Sequence, residues 1–281
     1  MEYFAPRSEA EALAVLKKWK GKAKVVAGGT NVVPDLRDRA IRKEILVDIS
    51  RLKNLSYIKE EKQRIRIGAL TTLSEIASSK IIQKYASVLS EAACQIGNPL
   101  VRNKATVAGN LADASPAADT APPLLVLDSL LGIEKGSGKE RQVPIHEFFV
   151  GPNRTILKGD EIIRGIILPK AKLSAKMAYT KFGLRNSMAI SVISLAVLVE
   201  MERGICKKAR IGLGAVSPTP IRTYGVEEMV VGHEITEELI AKCCEKVQTE
   251  IHPITDIRAS LDYRRSMASV LLGRLLRQVV R

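Results

Sequence analysis

The stretch Val25-Val26-Ala27-Gly28-Gly29-Thr30-Asn31-Val32 is a short apolar run that ends in two glycines where a strand must turn. Adjacent glycines let the main chain approach a ligand more closely than any side chain permits. Successive N–H groups in such a turn also form a concavity suited to an anion. A pyrophosphate is the natural guest. By itself a Gly-Gly-Thr is more often a plain tight turn between a strand and the next element. What favours the ligand is a second stretch, Ala105-Thr106-Val107-Ala108-Gly109-Asn110, followed by Asp113-Ala114-Ser115-Pro116-Ala117-Ala118-Asp119.

A chain of 281 residues can bury an ample core and predicts two domains, or one with subdomains. With 46% hydrophobic and 26% charged residues it has the composition of a globular protein, not a disordered one. It holds no run of about 18 apolar residues, and Met1-Glu2-Tyr3-Phe4 lacks the basic start and apolar core of a signal peptide. No membrane span is expected, and a cytoplasmic location is. The net charge of +14 raises the question of nucleic acid. Bases are interleaved with acids, as in Arg37-Asp38-Arg39 and Lys59-Glu60-Glu61-Lys62, and no nucleic-acid motif is present. A solvated basic surface or an acidic protein partner fits better.

Cys94, Cys206, Cys243 and Cys244 show neither C-x-x-C spacing nor a histidine pair at zinc-ligand distance, so reduced and mostly buried thiols are expected. An iron-sulfur cluster or metal on this chain is not expected. His146, His233 and His252 are far apart and read as surface or packing residues.

In chain order, Ser8 with Glu11 and the spacing of Ala10, Leu13, Ala14 and Leu16 predict a helix over about 9–19, followed by a strand over about 23–27. Ile45-Leu46-Val47-Asp48-Ile49 reads as a buried strand, giving a small parallel α/β unit at the N-terminus. Residues about 56–68 read as a hairpin, Thr72 with Glu75 as a capping box, and 80–96 as one longer helix. Pro122 and Pro123 begin another helix, and strands over about 129–134 and 139–144 flank Gly136-Ser137-Gly138. The pattern changes at about 170–175. Beyond it, strands over 176–183, 190–201 and 205–215 precede helices over 221–229, 236–250 and 260–280, which predicts an α+β domain with an antiparallel sheet. The last helix is expected to pack on that sheet.

The two glycine stretches, continued through Ala114-Ser115-Pro116-Ala117-Ala118-Asp119-Thr120-Ala121-Pro122-Pro123-Leu124-Leu125, resemble the FAD-binding medium subunit of molybdenum hydroxylases, the xanthine dehydrogenase and carbon monoxide dehydrogenase family. The likeness covers essentially the whole chain, because Asp262-Tyr263-Arg264-Arg265-Ser266-Met267-Ala268-Ser269-Val270-Leu271-Leu272 also resembles that family's C-terminal helix. The resemblance implies a fold of α+β class: a PCMH-type FAD-binding domain over 1–172, in subdomains 1–55 and 56–172, and a C-terminal domain over 173–281.

It further implies that Val25 to Val32, through the amides of Gly28, Gly29, Thr30 and Asn31, hold the pyrophosphate. Thr106 and Asn110 would add polar contacts, Gly109 would give the backbone clearance, and Ala108 is counted with them as cofactor-binding. Ser115 and Asp119 would meet the flavin or ribityl chain, with Asp119 doubling as a helix N-cap before Pro122. Ile96 would flank the adenine end, Lys181 would place positive charge near the flavin ring, and Ile190 would pack on that ring. The family often has basic and acidic residues where this chain has Asn186, Met188 and Ala189, which leaves the electron acceptor open.

By the same resemblance, electrons come from iron-sulfur clusters of a small partner subunit, fed by a molybdopterin site in a large one, and leave to an acceptor such as NAD+ or a quinone. No residue is assigned as catalytic. The alternatives are a stand-alone FAD-dependent reductase or oxidase of the same fold, or a basic non-enzymatic binding protein.

Overall fold

The structure, a computed structural model, describes residues 1–136 and 138–281. β1 (Glu2–Phe4), α1 (Glu9–Trp19), β2 (Ala23–Val26), α2 (Val32–Arg37) and β3 (Ile45–Asp48) form a three-stranded parallel sheet in the order β1-β3-β2. This is the small α/β unit expected at the N-terminus. Ser8 caps α1 through the Glu11 amide, but the Glu11 carboxylate takes the Arg7 amide and not that of Ser8, so the capping box is only half made. Ala12, Leu13 and Leu16 on the inner face of α1 pack with Val47 and Ile49.

β4 (Ile58–Glu60) and β5 (Arg64–Gly68) pair antiparallel as expected, and α3 (Leu73–Ser78) opens with the full Thr72–Glu75 capping box. The helix expected over 80–96 is two helices, α4 (Lys80–Tyr85) and α5 (Ser87–Gln95), broken at Ala86, whose φ of −149° and ψ of 46° are not helical. The break lets α5 lie against α3, where Ser90 Oγ donates to the Ala77 carbonyl at 2.8 Å. Alanine, the best helix former, gives no local sign of it.

α6 (Pro99–Arg102) precedes the second glycine stretch, which runs into α7 (Val107–Asp113), and α8 (Ala121–Val126) has its prolines in the first turn. β6 (Leu130–Lys135) and β7 (Glu140–Pro144) pair antiparallel; in the turn between them, Ser137 lies outside the described residues. After the short hairpin of β8 (Phe149–Gly151) and β9 (Arg154–Thr155) comes β10 (Glu161–Pro169), a strand the sequence reading passed over. It is the centre of a five-stranded sheet, β4-β5-β10-β6-β7. Its register against β6 shifts between Ile163 and Gly165, at the Arg164-Gly165 pair that divides its apolar run.

β11 (Lys176–Phe182), β12 (Ile193–Glu202), β13 (Ile205–Gly214) and β14 (Ile221–Arg222) form an antiparallel sheet in that order. β12 starts later than expected, leaving Ile190 in the preceding loop. The helix expected from 221 starts as α9 (Tyr224–Val230), because Ile221 and Arg222 pair with β13. α10 (Glu237–Glu250) and α11 (Leu261–Val280) cover one face of the sheet. β12 is buried on both faces: Ile193, Leu195, Val197 and Val199 meet those helices, while Ala196 and Leu198 join the core that packs around β5, β6 and β10. Thus one strand stitches two cores together. Cys206 and Cys243 are buried and Cys94 is exposed. Among the described residues no helix is long and apolar enough to cross a membrane.

Candidate functional site

A cleft of about 200 Å³, open to solvent, lies along the edge strand β2 and faces the second glycine stretch, with Ile162 and Ile163 of β10 in its lining. β2 delivers the chain into the turn. Gly29 has φ +72°, the left-handed region that glycine enters without steric cost. A Cβ at Gly28 would sit 1.8 Å from the Lys104 carbonyl oxygen, so only glycine lets the turn press against the segment that leads into α7.

The carbonyls of Gly29 and Asn31 accept the amides of Val33 and Asp35 in α2. The amides of Gly28, Gly29, Thr30 and Asn31 donate to no acceptor among the described residues. A row of unspent backbone donors beside a cleft is a cradle for an anion.

The facing wall is held from behind. Leu73 donates its amide to the Ala105 carbonyl at 2.9 Å, Val107 donates to the Thr71 carbonyl at 3.1 Å, and Thr106 Oγ1 accepts the Gly109 amide at 3.1 Å. Thr120 Oγ1 donates to Asn110 Oδ1 at 2.6 Å, which leaves the Asn110 amide nitrogen as a donor. Asn31 Nδ2 donates to Asp113 Oδ2 at 2.8 Å and ties the two walls together. Burial pushes the Asp113 carboxyl up; the Asn31 bond and the charge of Lys24 oppose this without cancelling it. Burial acts the same way on Glu161. There the Arg141 guanidinium, at 2.9 Å, and the Lys158 amide outweigh it and hold the carboxyl below its usual range.

Twelve of the residues singled out in the sequence line this cleft: Val25, Ala27, Gly28, Gly29, Thr30, Asn31, Val32, Ile96, Thr106, Ala108, Gly109 and Asn110. Val26 does not, and its carbonyl accepts the Ile49 amide. Ser115, Asp119, Lys181 and Ile190 also lie outside the lining. Ser115 Oγ accepts the Ala117 amide at 3.2 Å. Asp119 is not the N-cap of α8, a position that Thr120 fills without a side-chain bond to the helix amides. Its carboxylate, buried, accepts Lys181 Nζ at 2.6 Å and the Ser191 hydroxyl, so both oxygens face the C-terminal sheet.

Ile96 sits beside two links to that sheet. The Gln95 carbonyl accepts Lys181 Nζ at 3.4 Å and the Gly97 carbonyl accepts the Met188 amide at 3.3 Å. Lys181 therefore reaches the backbone next to Ile96 without itself lining the cleft. Sequence reasoning missed Lys24, Asp113 and Glu161. Asp113 stood in plain view inside the second stretch, and its only signal was a carboxylate next to an anion-binding motif.

The family model described as the FAD binding domain in molybdopterin dehydrogenase matches residues 1–171, and that of the CO dehydrogenase flavoprotein C-terminal domain matches residues 178–279. The nicotinate dehydrogenase FAD-subunit of Eubacterium barkeri is 31% identical over 98% of this chain and 94% of its own length. The carbon monoxide dehydrogenase medium chain of Hydrogenophaga pseudoflava is 31% identical over 98% of this chain and 95% of its own. A solved carbon monoxide dehydrogenase from Hydrogenophaga pseudoflava contains a chain that superposes with a TM-score of 0.96, covering 100% of this chain and 97% of that one at 31% identity.

Proposed function

Because the chain belongs to the family of FAD-binding medium subunits of molybdenum hydroxylases, we propose that it serves as the electron-relaying subunit of a cytoplasmic, multi-subunit enzyme of that kind. In this reading its partners are a small iron-sulfur subunit and a large molybdopterin subunit. The chemistry FAD supplies when bound is to accept electrons singly from the partner's clusters and to hand them to an external acceptor such as NAD+ or a quinone. The chain divides after residue 172 into an FAD-binding domain, with subdomains 1–55 and 56–172, and a C-terminal domain over 173–281.

The observation that carries the reading is the cleft between the two glycine stretches, with its four unspent amides. Gly28, Gly29, Thr30 and Asn31 would hold the pyrophosphate by backbone N–H groups, and the Asn110 amide nitrogen and Thr106 would complete the polar shell. Val25, Val26, Ala27 and Val32 shape the turn, and Ala108 and Gly109 keep the facing backbone clear. Ile49, Leu70, Leu73, Leu157, Ile162 and Ile163 offer an apolar wall that excludes water.

The sequence reading set Ile96 at the adenine end; in this reading it belongs instead at the ring end, since the carbonyls on either side of it meet Lys181 and the loop that holds Ile190. Asp119 and Lys181 neutralise one another there and fix the C-terminal sheet against that end, while Ser115 and Ile190 flank it. No side chain is asked to act as an acid, base or nucleophile. The chain's task is to bind, to orient and to set the local charge.

The native complex, purified through a tag on this chain, tests the reading. About one FAD per chain is expected, together with iron and molybdenum in accompanying chains. A flavin-loaded chain that brings down neither iron nor molybdenum would remove the relay role.

A further inference from the structure

The N-terminal unit and the five-stranded sheet supply facing walls of the cleft, the turn after β2 on one side and Ile162 and Ile163 of β10 on the other. The two units also touch beside it. Ile162 belongs to the apolar cluster of Ala12, Leu13 and Leu16 on α1. Arg164 follows the cleft-lining residues at the point where the register of β10 shifts, and its guanidinium gathers carboxylates from three other elements. Its Nε lies 3.1 Å from Glu9 Oε2 of α1 and 3.4 Å from Glu134 Oε2 of β6, and Nη1 donates to Glu140 Oε2 of β7 at 3.4 Å.

One guanidinium cannot neutralise three carboxylates. The Glu9 and Glu134 side chains are only 12% and 14% exposed, and both Oε2 atoms are buried with no hydrogen-bond partner among the described residues. The other Glu9 oxygen accepts Asn54 Nδ2, and Glu9 stands first in α1, where the helix dipole favours negative charge. Glu134 lies in hydrogen-bond reach of Glu9. Of the other charges nearby, Arg66 of β5 lines the same crevice as Glu140 and Arg164, while Lys135 and Arg141 are taken up by Asp160 and Glu161. Burial and the Glu9 charge raise the Glu134 carboxyl above its ordinary 4.5, against the pull of Arg164. A raised acid favours the arrangement in which it keeps its proton. The contact is therefore complete below 4.5 and weakens as pH rises through the raised titration.

We propose that Glu134 is a positioning residue for the cofactor, whose proton holds the two walls of the cleft together. Protonated, it donates its O–H to the Glu9 carboxylate and keeps α1, with β2 and the glycine turn that follow it, on the five-stranded sheet. Ionised, it leaves three charged carboxylates around Arg164, and the walls separate more readily. The proposal rests on the reading of the cleft as the FAD site. Two like charges at a buried contact disfavour it, and sharing one proton removes the repulsion.

The test follows backbone hydrogen exchange in α1 and β2 of the full chain, corrected for the intrinsic pH dependence of exchange, together with the rate of FAD release on dilution. In the wild type, protection of α1 and β2 is expected to fall as pH rises from about 5 to about 8. Glu134→Gln keeps the shape of the protonated carboxyl. It is expected to stay protected across that range and to release FAD several-fold more slowly than the wild type at the upper end, a gain that a merely structural role for Glu134 would not give. Glu9→Gln removes the opposing charge from the other side of the contact, is expected to flatten the profile as well, and serves if the first variant fails to fold. Wild-type protection that does not change with pH, or glutamine variants that keep the wild-type profile or release FAD as fast as the wild type, would overturn the assignment. A chain that takes up no FAD would instead bring down the cofactor reading, and the exchange profile would still decide whether the proton holds α1 to the sheet.

Discussion

Gly28 carries the tightest steric constraint in the cleft, because its missing Cβ is what lets the turn lie on the Lys104 carbonyl. Gly28→Ala must push two backbones apart. It is expected to cost about 1–3 kcal/mol and to release FAD, which thermal unfolding and flavin content would show. A variant with wild-type flavin and stability would mean that the two walls are not pressed together. Asp113 works in the opposite sense, since it places a carboxylate beside a cradle for an anion. Its carboxyl is raised by burial, so it takes a proton more readily than an ordinary aspartate. Affinity for ADP, used as a pyrophosphate probe, is therefore expected to rise as pH falls through the Asp113 titration. Asp113→Asn should bind ADP several-fold more tightly near neutrality and lose that pH dependence. Of these two residues only Gly28 was legible as a ligand-facing position, because a double glycine is a local signal and a carboxylate is not. The partner of Asp119 was hidden for a plainer reason: Lys181 is 62 residues away.

Secondary elements with an uninterrupted period were legible apart from shifted ends, and the two larger misreadings have local causes. α4 and α5 were merged because alanine at the break favours helix, and β10 was passed over because Arg164-Gly165, where its register shifts, splits one apolar run into two. What joins the elements could not be read at all. β11 is held to the segment before α8 by the buried Lys181–Asp119 pair, and Asp128, just after α8, accepts from Arg210 and Arg222 of β13 and β14. Burial and the neighbouring Arg222 bring the Arg210 guanidinium down to about 10. Lys181→Met leaves Asp119 charged in the interior and is expected to cost about 3–5 kcal/mol. The double change Asp119→Leu/Lys181→Met should cost clearly less than the two single changes summed. Chemical denaturation of all four proteins checks this, and strictly additive effects would contradict it.

The loop before α11 depends on a similar pair. Arg264 is almost fully buried and donates to Asp256 Oδ1 at 2.8 Å and to the Ala215 carbonyl at 2.9 Å. Burial would raise the Asp256 carboxyl, but the amides of Arg258 and Ala259 and the Arg264 guanidinium outweigh it and hold it at about 2. A lowered acid contributes stability above its ordinary value of 3.8 and loses it as pH falls through about 2. Asp256→Asn is expected to cost roughly 3 kcal/mol at neutral pH, toward the lower end for a buried pair because the carboxylate is partly exposed. Its unfolding should also be less sensitive to acid over that window, as pH-dependent melting would report.

The molecule as a whole has one apolar cluster around α1 and β3 and two larger cores that share β12, with a cleft lined by β2, the second glycine stretch and β10. The class of fold was readable from the order of elements and the cofactor from two glycine stretches, because both are encoded within short windows. The cleft itself was not, since it exists only where β2, the 104–113 segment and β10 converge from three parts of the chain. The charge of +14 was readable as a number but not as a place. The absorption spectrum of the purified chain, with the released cofactor identified by chromatography, is the most direct check on that convergence. Flavin bands in the near ultraviolet and the blue, with FAD in the supernatant, are expected. A colourless protein that takes up no added FAD, or one that releases only FMN, would contradict the cleft as an FAD site.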